Sequence, residues 1–132
     1  MSSSNRRRSL EIPGVTHGAA PIPMGARVGN TIYSSGISGK DASTDTLPAD
    51  IQTQARLAFQ NMRTLLQVGG ATLDDVVRMT VYLKEDAGRE FLNREWLACF
   101  PDPHSRPARH VLIHALPGAM QIQLEIVAVV EA

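Results

Sequence analysis

In the segment "RPARHVLIHALPGAMQIQLEIVAVV", residues 106–130, Arg109 opens a run of apolar residues that a Leu-Pro-Gly turn divides in two. A guanidinium stays protonated in proteins and presents five N–H donors in a rigid fork. Beside an apolar sheet it needs an anionic partner or open water. Two partners fit: a structural carboxylate, Glu125 on a neighbouring strand, or the carboxylate of a small ligand. His104, His110 and His114 raise metal binding as a second chemistry. On a helix an i, i+4 pair would converge on one ion, but on a strand that spacing separates His110 from His114 by roughly 13 Å. No metal is expected. The single cysteine, Cys99, lies in the apolar run "EWLACF". It excludes an intrachain disulfide and a CxxC motif, and reads as buried filler in a reducing compartment.

These residues need a frame. "ARVGNTIYSSG" predicts a hairpin turning at Gly29-Asn30, its second strand running from Thr31 to Ser35. The polar loop "SGKDASTDTLPAD" follows. A helix is then expected, because Ile51, Ala55, Ala58, Met62 and Leu65 recur at steps of four and three until Gly69-Gly70 ends it. Val76–Lys84 alternates Val77, Met79, Val81 and Leu83 against Arg78, Thr80 and Tyr82, the pattern of a central strand. Asp86 is placed to cap a second helix carrying Leu92, Trp96 and Phe100 as one stripe. Strands over roughly 108–115 and 120–130 complete the order.

Strand, strand, helix, strand, helix, strand, strand predicts an α+β layer, one mixed sheet with both helices on one face. The last strand puts Ile122, Leu124, Ile126 and Ala128 on one side and Gln121, Gln123, Glu125, Val127 and Val129 on the other. Two helices cover one face only, and Val127 and Val129 make the second too apolar to stay wet, so an oligomer is expected.

Composition narrows the function classes. A chain of 132 residues, 43% apolar and formally uncharged, describes one domain with no field to gather nucleic acid. The basic stretch "NRRR" at residues 5–8 offers phosphate contacts, but no aromatic platform accompanies it. Nucleic acid is therefore disfavoured as a partner. No apolar run reaches a membrane span or a signal-peptide core, so a cytoplasmic protein with no membrane partner is expected. Residues 1–14 read as a flexible basic arm and 15–132 as the folded domain.

Together, "VGNTIYSSG", "PADIQTQARLAFQNMRTLL", "VVRMTVYLKE" and "RPARHVLIHALPGAMQIQLEIVAV" resemble the RidA/YjgF family of imine and enamine deaminases, from about Ala20 to the C-terminus. The resemblance implies a chorismate-mutase-like α+β fold assembling as a homotrimer, with a central β-barrel and clefts between subunits. It implies hydrolysis of reactive 2-imino acids to 2-keto acids and ammonia, with neither metal nor organic cofactor. By position, Arg109 matches the arginine that pairs with the substrate carboxylate, Ser35 and Gly36 the serine and glycine near the bound acid, and Asn93 a cleft asparagine on the second helix. Three positions depart from the family pattern. The usual water-holding glutamate is Gln123, the cysteine two places after the arginine is Val111, and an early-loop tyrosine is Ile22. A glutamine orients water but cannot accept a proton. Glu125, two residues on and roughly 6 to 7 Å away on the same strand face, is the substitute acceptor. The alternatives are a non-catalytic trimer that binds a small carboxylate and a pathway-specific deaminase for a different substrate. Some relatives also carry an endoribonuclease name, which the absent positive charge does not favour.

Overall fold

The computed structural model describes residues 6–131. Strands β1 (Arg8–Leu10), β2 (Gly25–Val28), β3 (Thr31–Ser34) and β4 (Ile37–Ser38) precede helix α1 (Ile51–Val68). Strand β5 (Val76–Leu83), helix α2 (Arg89–Cys99), β6 (Ala108–Ile113) and β7 (Ile122–Val129) follow. They form one sheet in the order β1-β2-β3-β7-β5-β6, with β4 also on β7. Only β5 and β6 pair in parallel, joined through α2, so the sheet is mixed.

The expected alternation decides what is buried. Ile122, Leu124, Ile126 and Ala128 of β7 and Met79, Val81 and Leu83 of β5 pack under the helices with Ala58, Phe59, Met62 and Leu65 of α1. The opposite face keeps Val28, Tyr33, Leu112 and Val129 exposed, Tyr33 at 57%. That is the uncovered apolar face foreseen from β7. Among the described residues no helix is long and apolar enough to cross a membrane.

Both ends of α1 are fixed by side chain and backbone together. The Asp50 carboxylate accepts from the Thr53 amide at 2.9 Å, an N-cap bond. At the other end the Ala71 amide donates to Leu66 O and the Gly70 amide to Gln67 O, while Gly70 takes φ 82°. This paired arrangement requires a left-handed residue, which glycine adopts without steric cost.

Two polar residues on the buried side of α1 escape an apolar-period reading. Gln54 is fully buried: its Nε2 donates to Pro48 O (2.7 Å) and Ala119 O (2.9 Å), and its Oε1 accepts from the Gln121 amide (2.9 Å). Asn61 Nδ2 donates to Ser38 O and Lys40 O, both at 3.0 Å. Loops on either side of the helix are thereby held to it. We expect Gln54→Leu to lower unfolding free energy by about 2 to 4 kcal/mol, since each partner stranded away from water costs about 1 to 3 kcal/mol. Urea denaturation of the two proteins checks this.

Three sequence expectations are corrected. The arm is not free through residue 14: Arg8–Leu10 pairs with β2, and Leu10, Ile12 and Val15 are buried, because that apolar trio covers the end of the core beside β2. Residues 1–5 lie outside the described residues. Asp86 does not cap α2; Gly88 holds the N-cap position, and Asp86 instead accepts from Arg89 Nε at 2.6 Å. Val77 does not share the buried face of β5, because a bulge between Val76 and Arg78 shifts the register and leaves it exposed.

Candidate active site

Arg109 sits on the edge strand β6, opposite Met79 of β5. Because Met79 and Val81 are buried and Val81 pairs with Val111, Arg109 and Val111 share the helix-covered side. There α2 meets the guanidinium. Arg109 Nη1 donates to Asn93 Oδ1 at 2.8 Å, and its Cζ lies 4.9 Å from the centroid of the Trp96 ring. Trp96 is 8% exposed and braced edge-to-face by Phe100, with centroids 4.8 Å apart. Just upstream, Arg106 Nε donates to Phe100 O at 2.8 Å, tying the entry to β6 to the end of α2.

The electrostatics favour an anion here. Among the described residues the ion pairs are Lys40–Asp45, Arg89–Asp86 and Arg94–Glu90, none of which includes Arg109. Burial first, and then the Arg89 guanidinium, lower the pKa of Arg109 from its usual value. A guanidinium nevertheless keeps its charge. Arg109 is thus a half-buried cation whose direct contacts, Asn93 and Trp96, are uncharged and whose remaining donors are unused.

The other candidates form a second group. On β7, Gln123 faces Tyr82 across the β5 pair and Ser38 across the β4 pair. Gly36 makes room for it, since a Cβ there would collide with the Gln123 amide. Glu125 is half-buried on the uncovered face, where Oε1 accepts from the Tyr82 hydroxyl at 2.7 Å. That hydrogen bond and then burial raise the Tyr82 pKa, so the phenol remains the donor. His114 packs edge-to-face on Tyr82 with centroids 5.9 Å apart, on the side away from Arg109 as its spacing predicts. Among the described residues no cluster of three or more His, Cys, Asp or Glu side chains is placed to hold a metal.

Ser35 is committed to backbone: its hydroxyl donates to Pro23 O at 2.7 Å and its amide to Met24 O at 2.9 Å. Its neighbour Ser34 has a role the sequence did not disclose. Between β3 and β4 the ladder on β7 lapses, and Ser34 Oγ accepts the Ile126 amide at 2.8 Å in place of the missing partner. Ile22, at 51% exposure, projects from the loop before β2. Cys99 is half-buried rather than wholly so; its sulfur accepts from Arg63 Nη2 at 3.2 Å, and burial raises its pKa.

One chain therefore brings together Arg109, Asn93, Val111 and Trp96 on the helix side, and Gln123, Glu125 and Tyr82 on the other. β5 lies between β6 and β7, and the two sides face opposite ways. Within one chain Arg109 and Glu125 therefore cannot form the ion pair considered above, since β5 separates their strands and they face opposite sides. Sequence reasoning had Trp96 only as a core residue and missed the Tyr82–Glu125 bond. The alternation puts Tyr82 and Glu125 on outward faces, but only the strand order makes them neighbours.

Comparison with known proteins agrees with this architecture. The family model described as endoribonuclease L-PSP matches residues 19–131. The 2-iminobutanoate/2-iminopropanoate deaminase of Escherichia coli K12 is 31% identical over 111 residues, covering 83% of this chain and 87% of the relative. A crystal structure of RidA from an Antarctic Psychrobacter superposes with a TM-score of 0.85 at 27% identity, covering 93% of this chain and 99% of the other. E. coli TdcF with bound serine gives 0.84 at 25% identity, covering 94% and 99%. With the model spanning both helices and all but the first strand, the chain belongs to the endoribonuclease L-PSP family, the family of RidA and YjgF.

Proposed function

We propose that this protein hydrolyses reactive 2-imino and 2-enamino acids to 2-keto acids and ammonia, in clefts between the copies of a homotrimer. The observation that carries the reading is Arg109, a half-buried guanidinium held by Asn93 and Trp96 with no acid among the described residues paired to it. Such a fork binds a carboxylate through two N–H bonds. The names of relatives support the class of chemistry, and the serine-bound TdcF supports a small amino-acid-like ligand in this family.

The reaction needs a water aimed at the imine carbon, an acceptor for its proton and a donor for the departing nitrogen. In this reading Arg109 anchors the carboxylate, and Gln123 orients the water through its amide. Glu125 takes a water proton as the C–O bond forms and passes it to the imine nitrogen. It then takes the proton of the carbinolamine hydroxyl and passes it to the same nitrogen, so that C=O forms as the C–N bond breaks and ammonia leaves. Asn93, Ser35, Gly36, Ile22 and Val111 shape the cleft, and no cofactor is required. Because the two groups of residues face opposite sides of one sheet, a complete site takes Arg109 from one copy and the outward-facing group from another. The exposed apolar face supplies a surface for that association.

A second reading has a specific observation in its favour. With Gln123 in the place of a proton acceptor, the trimer binds a small carboxylate without turning it over, or acts on a different imine in one pathway. The deciding experiment generates 2-iminobutanoate in place with a dehydratase and follows ammonia release. Acceleration over the uncatalysed rate, with a particle three times the 14.3 kDa chain mass in sedimentation, is expected. A folded trimer that binds 2-oxobutanoate yet gives no acceleration would move the assignment to the binding protein.

A further inference from the structure

Arg109 is oriented by two uncharged partners, and this has a chemical consequence. A carboxylate at either position would hold the guanidinium equally well but would neutralise it and compete with any anionic ligand. Asn93 takes one N–H in the plane of the fork. Trp96 meets the cation from its face, where the negative ring quadrupole attracts positive charge without accepting an N–H. The hydrogen bond restrains rotation within the plane and the indole restrains tilt, while the remaining N–H donors stay open to a ligand.

We infer that Trp96 is a positioning residue for Arg109: the indole face fixes the tilt of the guanidinium so that its free edge receives the substrate carboxylate. The indole itself is well placed for this, being buried against Phe100 on a three-turn helix rather than on a loop. A platform that cannot move holds a long, flexible arginine in one pose before the ligand arrives, which removes an ordering cost from binding.

The inference rests on the carboxylate-binding reading of Arg109, so its test separates the two. Trp96→Leu removes the ring face and Trp96→Phe keeps one. For Trp96→Leu we expect Kd for 2-oxobutanoate and KM for 2-iminobutanoate to rise about 3- to 30-fold, the range of one cation–π contact between surface and desolvated sites. The turnover number should stay within about threefold, because ground-state and transition-state binding are lost alike. Trp96→Phe should recover most of the affinity. A purely structural role would lower the melting temperature without this split or this rescue. Folded Trp96→Leu with wild-type Kd overturns the inference.

Trp96 is the only tryptophan in the chain, which gives a second measurement that needs no Trp96 variant. Its emission in ligand-free wild type should differ from that in Arg109→Ala, and 2-oxobutanoate should change it in wild type alone. Should Trp96→Leu fail to fold, identical emission from wild type and Arg109→Ala overturns the inference by itself. Wild type that neither binds 2-oxobutanoate nor hydrolyses the imine overturns the functional reading, whatever the Trp96 variants do.

Discussion

Arg109→Ala should abolish saturable binding of 2-oxobutanoate and lower kcat/KM for 2-iminobutanoate by about 10²- to 10³-fold, the usual cost of truncating one side of a partly desolvated charge pair. Arg109 is the cation on the helix side of β6, it keeps donors unused after Asn93 has taken one, and among the described residues no carboxylate competes for them. The loss should fall mainly on KM, because the carboxylate is present in substrate and transition state alike. Lysine at this position restores charge but not the two-pronged geometry, and should recover only part of the affinity. Isothermal titration with 2-oxobutanoate and initial rates on the imine measure both effects. The oligomeric state and the melting temperature should be preserved, since the ring of Trp96 remains packed on Phe100 when the guanidinium is gone. A variant that dissociates into monomers would mark Arg109 as a structural bridge between copies.

The sequence made the sheet and its outward face legible because alternation is a local property. Ile122 to Ala128 announces its buried side in every second residue, and the structure buries those four and leaves Val129 exposed. Three features were not legible for a common reason: each depends on a partner distant in the chain. Leu10 and Ile12 are too few apolar residues to declare a strand, and only β2 gives Arg8–Leu10 its ladder. Gln54 looks like a solvent-facing residue until Pro48, Ala119 and the Gln121 amide converge on it. Tyr82 and Glu125 meet only because β7 runs beside β5.

The site divides along the same line. Residue types identified the guanidinium, and the family resemblance identified Asn93 as a cleft residue on the second helix. Neither disclosed that Asn93 touches Arg109 directly, or that Trp96 is the other half of the support. A stripe of Leu92, Trp96 and Phe100 reads as packing, and Trp96 does pack. Its second role follows from the parallel pairing of β5 with β6, which turns Arg109 inward toward α2.

Gln123→Glu should raise the turnover number for 2-iminobutanoate above what Glu125 supplies from two residues away, by up to the roughly 10²- to 10⁴-fold of a well-placed general base, because it puts a proton acceptor where Gln123 holds the water. The substitution is nearly isosteric, and the space that Gly36 leaves beside the Gln123 side chain is as able to admit a carboxylate as an amide. What changes is chemistry: an amide orients water but cannot receive its proton, whereas a carboxylate does both. Because the introduced group must be ionised to act, the gain should appear as pH rises through the carboxylate range and vanish below it. The KM should change little, since Arg109 lies on the other side of the sheet and anchors the substrate independently. An unchanged turnover number has its own reading. It would place the acceptor at Glu125, whose carboxylate is already held by the Tyr82 hydroxyl at 2.7 Å, two residues along the same strand face. Glu125→Gln would then remove the activity while Gln123→Glu left it alone, and the opposite pair of results would assign the proton to position 123.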